Sequence, residues 1–346
     1  MKPINFLLLS IICLFFACQQ NNVPAPNASC DWLEELMPIV QDTCFQPSVG
    51  PFGTIIPPYE NYNIDQIVLS KIDQNVIYFI SKQTPDIGPV DLYKVNLCAN
   101  EVQFVATLEH YLNNSLRLNS KDQIIYIEAI LSVTNQNIVA FDINEQSNIP
   151  LLSNKSNINR VGWASDTSFI VEEGIFVNGN PTFARLLYHI EGNTLDTILL
   201  TPGTFSNPLG DKIALNSSYG HDNKHLFIYS ASEREITEAY SLENENWSAT
   251  TIILDWLNEE QIQIREGSGI TGSFDLANNQ IDVFFNPDEI DCRNVFFNRL
   301  GVALDNEHLL QIRGEYFFNE EGEYRLRNDI IRYNMETGLE ELIVLE

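Results

Sequence analysis

The residue types with chemical reach in this chain are few, and four of them stand in a pattern. Lys and Arg number 19 against 47 Asp and Glu, a formal net charge of −28. Arg117, Arg160, Lys212 and Arg299 precede the apolar residues Leu118, Trp163, Leu215 and Leu304 by 1, 3, 3 and 5 positions. Every offset is odd, and in an extended strand an odd offset puts a side chain on the opposite face. If the apolar residues face a core, the four bases share the other face. They would then form a positive site inside a negative shell, suited to a carboxylate, an acidic or sulfated glycan, or an acidic peptide. The competing reading is that each base pairs with a neighbouring Asp or Glu and braces the structure.

The remaining chemical groups are quieter. Gly267-Ser268-Gly269 lacks the Gly two residues before the Ser that a nucleophile elbow requires. Neither a P-loop nor a dinucleotide fingerprint is present. His221 and His225 flank Asp222-Asn223-Lys224 and read as a turn ahead of a strand. Asp275, Asn278, Asn279 and Asp282 lack the spacing and the Gly of a calcium loop, so they too read as a turn. Glu34-Glu35, Glu259-Glu260 and Glu320-Glu321 are solvated surface in so acidic a chain. Hence neither a metal nor a cofactor is expected. The charge balance also disfavours nucleic acid and anionic membrane surfaces as partners.

The elements that must position the four bases begin after a leader. Lys2, an apolar run from Ile4 to Phe16 and a small residue, Ala17, are a secretory signal rather than a fold element. Cys18 follows directly. This junction resembles the lipobox of bacterial lipoproteins, which implies lipidation at Cys18. By the same resemblance, Gln19 implies sorting to the outer membrane, facing the periplasm, with membrane contact through the lipid anchor alone.

Residues 18–62 read as a polar tether, a short helix opening at Asp31 and a Pro/Gly linker. Glu34 completes a capping-box-like start for that helix, and Leu33, Leu36, Met37 and Val40 share one face. Outside the leader, Cys30, Cys44, Cys98 and Cys292 are an even set for an oxidising compartment, open to three pairings. A helix unbroken from Cys30 to Cys44 would hold them about 21 Å apart. Cys30–Cys44, favoured for its short loop, therefore requires the helix to stop near Pro38.

From residue 63 onward the chain repeats. Apolar runs follow polar turns at Val76–Ile80, Gln123–Ile127, Ser168–Val171, His225–Tyr229, Gln280–Phe284 and His308–Ile312. A partner strand follows each, with an aromatic at Tyr93, Phe141, Tyr188, Tyr240 and Tyr333; the gaps are 48, 47, 52 and 93 residues. The last gap is about two periods and hides one unit near Phe284-Phe285. A period near 47 fits a four-stranded propeller blade. The expected fold is therefore an all-β propeller over residues 63–346, with six blades fitting the length and five or seven also compatible. Tyr78, Tyr126, Trp163 and Tyr188 are expected in its core.

Ser70-Lys71-Ile72-Asp73 with Leu92-Tyr93, and Trp163-Ala164-Ser165-Asp166 with Leu187-Tyr188, resemble the TolB-like propeller repeat. That repeat is also seen in the non-catalytic domain of prolyl-oligopeptidase relatives. The resemblance supports fold more than function, and the first functional reading is a monomeric, non-catalytic envelope lipoprotein whose propeller face binds a protein or a glycan. The alternative is a calcium-dependent lactonase of six-bladed type, with Asn119, Asn216 and Asp305 converging in the channel.

Overall fold

The computed structural model describes residues 36–39, 49–50, 53–54, 58–82, 88–99, 101–112, 116–132, 135–177, 180–192, 194–199, 204–206, 208–217, 225–242, 251–266, 270–286, 295–297, 301–305 and 307–343. All lie in one compact unit, Leu36–Glu346. β1 (Met37–Pro38) and a small hairpin, β2 (Val49–Gly50) and β3 (Gly53–Thr54), come first. The short helix expected from Asp31 falls mainly outside the described residues. Where they begin, Met37–Pro38 is a strand paired with the end of the chain rather than part of a helical face.

Antiparallel meanders follow in sequence order. The first is β4 (Ile64–Leu69), β5 (Val76–Lys82), β6 (Gly88–Asn96) and β7 (Glu101–Leu112). The second is β8 (Gln123–Ser132), β9 (Asn135–Asp142) and β10 (Ser147–Lys155), with Leu118 bridged to Ile124 on its inner side. The third is β11 (Ile158–Ser165), β12 (Ser168–Val177), β13 (Asn180–His189) and β14 (Thr194–Leu199). In the fourth, β15 (Lys212–Ser217), β16 (His225–Ser230) and β17 (Glu235–Ser241) are flanked by Phe205, bridged to Leu215. The fifth is β18 (Thr251–Trp256), β19 (Gln261–Glu266), β20 (Thr271–Asp275) and β21 (Gln280–Phe285). The last comprises β22 (Val295–Phe297), β23 (Val302–Ala303), β24 (His308–Phe318), β25 (Tyr324–Asn334) and β26 (Glu340–Ile343), with β1 added on its edge.

Successive meanders pack face to face, which explains why β5, β8, β12 and β16 carry apolar runs. Ile124 and Tyr126 face the first meander, in a cluster with Val68, Tyr78 and Leu92. Ile125 and Ile127 face the third, against Val161, Trp163 and Val171. In turn, Ile170 of the third meander faces Ile213 and Leu215 of the fourth. A strand covered on both faces has no solvent side on which polar residues are favoured. Each buried Val, Leu, Ile or Phe is worth about 1.5–3 kcal/mol over leaving it exposed. Tyr78, Tyr126, Trp163 and Tyr188 are all buried, as the repeat pattern requires.

The series returns on itself: β18 touches β23, and β4 of the first meander touches β23 and β24 of the last. The segment before β4 strengthens that junction. Tyr59 bridges Leu326 in parallel, and Asn61 exchanges hydrogen bonds with the backbone of Asn328.

The fifth unit departs from the sequence-based expectation. Gln280–Phe284 lies in β21, the outer fourth strand, and is largely exposed. The second strand of this meander is β19, and its aromatic partner residue is Phe274, paired with Ile262. Phe141, Tyr188, Tyr240 and Tyr333 likewise pair with the second residue of the strand before them. The hidden unit is therefore centred on Phe274, and Phe284-Phe285 closes it.

The polar turns of the repeat have a physical role. Asp122, buried in the turn before β8, accepts hydrogen bonds from Ser70 Oγ at 2.5 Å and Lys71 N at 2.7 Å in the first meander. Tyr78 Oη adds a third bond at 3.2 Å. One meander on, Asp166 accepts from Ser120 N at 3.0 Å and from Ser120 Oγ. Ser and Asp of consecutive turns thus latch neighbouring meanders together.

Candidate functional site

The innermost strands carry the site. Arg117 lies in the short stretch Leu116–Asn119 inside β8 and is buried. Its guanidinium stands 4.6 Å over the ring of Phe205 and Nη2 donates to the Phe205 carbonyl. Arg117 therefore reaches from the second meander to the fourth. It passes over Gly162 of β11, where an added Cβ would meet Phe205 Cε2 at 2.7 Å and Arg117 Cδ at 2.9 Å. Glycine is required there for that close approach.

Arg160 stands in the same strand as Gly162. The sheet holds Arg160, Glu172 and Arg185 in one row, since Arg160 is in register with Glu172 and Glu172 with Arg185. A bulge between Ile158 and Arg160 lets Asn159 reach Glu172 as well, where its Nδ2 donates to Oε1. Arg160 Nε and Arg185 Nε each lie 3.8 Å from a Glu172 oxygen. Side-chain exposure separates the three: 45% for Arg160, 1% for Glu172 and 0% for Arg185.

Behind the row, Arg185 Nη2 donates to the carbonyl of Asn216. Asn216 in turn links three strands: its Oδ1 accepts from Thr204 N at 2.6 Å, and its Nδ2 donates to the Thr251 carbonyl.

Arg117 and Arg185 both feel the charge of Arg160. Burial pulls Arg117 down to about 10; Asp255 opposes that fall and Arg160 adds to it. Burial likewise pulls Arg185 down to about 10, with Glu172 opposing and Arg160 adding. Desolvation and a like charge act in the same direction on a cation. The cluster is thus an arginine-rich centre in an acid-rich chain, and it can accept an anionic group.

Of the four bases singled out by spacing, Arg117 and Arg160 come together. Lys212 opens β15 at an exposed position, with Asn216 four residues further along the strand. That separation is about 13 Å at the usual rise. Arg299 lies outside the described residues, as do Cys18, Cys30, Cys44, Cys292 and His221. Cys98, on the exposed turn after β6, is disulfide-bonded, and its partner lies outside the described residues.

Arg185 carries no signal in inner-strand spacing because it sits on β13. Its one mark in the sequence is a charge set between Ala184 and Leu186-Leu187.

Of the residues named for a lactonase, Asn119 bonds to Gln123 and to the turn backbone, Asp305 caps a turn with His308, and the Asn216 carbonyl accepts from Arg185. Asp275 holds the amides of Ala277 and Asn278 in a turn, as its sequence suggests. Among the described residues no group of three or more His, Cys, Asp or Glu is placed to hold a metal ion.

Solved structures place this architecture. A structure from a study of two prolyl endopeptidases matches 84% of this chain and 42% of its own, at 11% identity and TM-score 0.50. The fold is a β-propeller. The WD40 repeats of RRP9 match over 84% of each chain at 8% identity and TM-score 0.49. An acylaminoacyl peptidase matches over 80% of this chain and 46% of its own, at 12% identity and TM-score 0.48. This chain thus spans less than half the length of both peptidases. No known family profile and no curated protein matches the chain.

Proposed function

We propose that this chain is a non-catalytic envelope lipoprotein, held to the outer membrane by lipid at Cys18 and facing the periplasm. Its six-bladed, TolB-like propeller acts as a monomeric binding module for an envelope protein or glycan that presents acidic groups. Each meander is one blade in this reading. The observation that carries it is the row Arg160–Glu172–Arg185 with Arg117 beside it, an arginine-rich centre in a chain of net charge −28. Such a local reversal of sign selects acidic partners and raises their rate of encounter. The leader ending in Ala17-Cys18 supports the anchor, and an oxidising compartment is consistent with a disulfide at Cys98.

Titration of the detergent-purified full chain with poly-L-glutamate, heparin and neutral dextran tests the binding role. The acidic polymers bind, dextran does not, and Arg160→Glu weakens the acidic binding by about tenfold or more. Failure of both acidic polymers to bind, or binding unchanged in Arg160→Glu, refutes it. For the anchor, a radioactive fatty acid labels the protein in cells and Cys18→Ser abolishes the label; label retained in that variant refutes lipidation.

A further inference from the structure

We propose that the arginine row is a site for a single carboxylate carried on a peptide, either a chain terminus or an Asp or Glu side chain, with Arg160 as its outer donor. This rests on the reading of the chain as a binding module.

The first support is the looseness of the internal pairing. Arg160 Nε and Arg185 Nε each stand 3.8 Å from Glu172. Charge-assisted hydrogen bonds settle near 2.7–2.9 Å, and Arg313 elsewhere in the molecule makes two such bonds, at 2.7 and 2.9 Å.

The second support is Arg185 itself. Its side chain is fully buried, yet Nε and Nη1 make no hydrogen bond among the described residues. A buried donor in that state is costly, and an acceptor-only group meeting it relieves the cost. The carboxylate is such a group, and its two oxygens match the fork of a guanidinium.

Charge and shape then narrow the ligand. Glu172 lies between Arg160 and Arg185, and the chain around them carries a net charge of −28. A monoanion meets less repulsion there than a dianionic sulfate or phosphate. Arg160 is half exposed and Arg185 fully buried, so the incoming group must travel on a narrow stem. A chain terminus or an acidic side chain has one; a carboxyl fixed to a sugar ring brings the ring with it.

Calorimetric titration of the full chain at constant ionic strength tests this, with acetyl-Gly-Gly as probe and acetyl-Gly-Gly-amide, glucuronate and inorganic sulfate as comparisons. Acetyl-Gly-Gly binds saturably and the amide does not. Arg160→Met weakens the binding about tenfold or more, and Lys71→Met, in an exposed turn, leaves it unchanged. Equal binding of the amide, sulfate or glucuronate binding as well as the peptide, or an unchanged Arg160→Met overturns the inference. Should Arg160→Met fail to fold, the wild-type contrast between acid and amide still decides. If the small carboxylate fails while poly-L-glutamate still binds, the carboxylate site is wrong and the binding module stands. If neither binds, both fall.

Discussion

Arg185 of the third meander and Arg313 of the last are buried alike, at 0% and 1% side-chain exposure. Arg313 Nη1 donates to Glu315 at 2.7 Å and its Nε to Glu340 at 2.9 Å. Its neighbour Arg327 adds bonds to Asp329 at 2.9 Å and Glu315 at 3.3 Å. There, two arginines meet three carboxylates in short, directed bonds. Around Glu172 the ion pairs to Arg160 and Arg185 both lengthen to 3.8 Å. Burial alone therefore does not assign a role to a charged side chain. Distance separates the two regions: the last sheet pairs its charges closely with one another, whereas Arg185 keeps buried donors without a hydrogen bond among the described residues, which we propose a ligand meets.

The largest expected effect tests this contrast through stability. Arg313→Met leaves Glu315 and Glu340 without their shared donor, and such a break costs about 3–5 kcal/mol. Arg185→Met also takes one cation from Glu172, but Arg160 and the Asn159 hydrogen bond remain on that carboxylate, so the loss should be smaller. Urea unfolding midpoints of the two variants should differ clearly, and equal losses would break the comparison.

A second contrast uses two glycines. At Gly162 an added Cβ meets Phe205 and Arg117, and overpacking of this kind costs about 1–3 kcal/mol. Gly162→Ala should also weaken acetyl-Gly-Gly binding, because it displaces Arg117. At Gly301, beside the last sheet, the Cβ meets the flexible end of Gln311. Gly301→Ala should leave binding intact, and calorimetry on both variants checks this. Loss of binding in Gly301→Ala alone would reverse the assignment of the two regions.

The smallest effect is on pH dependence. Burial raises the Glu340 and Asp329 carboxyls, although Arg313 and Arg327 respectively work against it. A carboxyl raised on folding takes up its proton in the folded chain first. Its contribution to stability therefore grows as pH falls toward the ordinary values of 4.5 for Glu and 3.8 for Asp. Asp142 runs the other way, held down by Gln123 and by the amides of Glu145 and Asn144. Its contribution is complete above the ordinary value of 3.8 and is lost as pH falls through its depressed one. In urea midpoints between pH 6 and pH 4.5, about the window these directions define, Glu340→Gln should fall behind the wild type's gain on acidification. Parallel curves would show that Glu340 takes up no proton there.

The second strands of the first four meanders were legible in the sequence because they are covered on both faces. Gln123–Ile127 is apolar without interruption for that reason, and the turn Asp before it latches the previous meander. The fifth unit was harder. β19 reads Gln-Ile-Gln-Ile-Arg-Glu and offers two apolar residues, while the exposed β21 imitates a second strand with Ile281, Val283 and Phe284. The inner stretches at Arg117 and Phe205 are too short to carry a period at all. In the site, spacing against an apolar neighbour singled out Arg117 and Arg160, and Arg160 also meets the competing expectation of a carboxylate partner, with Glu172 at 3.8 Å. Arg185 was not legible, because cross-strand register places it beside Glu172, and register is a tertiary fact.

If one buried arginine serves a ligand and the other serves the fold, the two must respond differently to a carboxylate. The most direct measurement is nitrogen-15 NMR of the arginine Nε–H groups, assigned by Arg185→Lys and Arg313→Lys, while acetyl-Gly-Gly is titrated into the full chain. The Arg185 and Arg160 signals should move and saturate with the peptide, and Arg313 should stay fixed. Movement of Arg313 with Arg185 and Arg160 unchanged would contradict that division of roles.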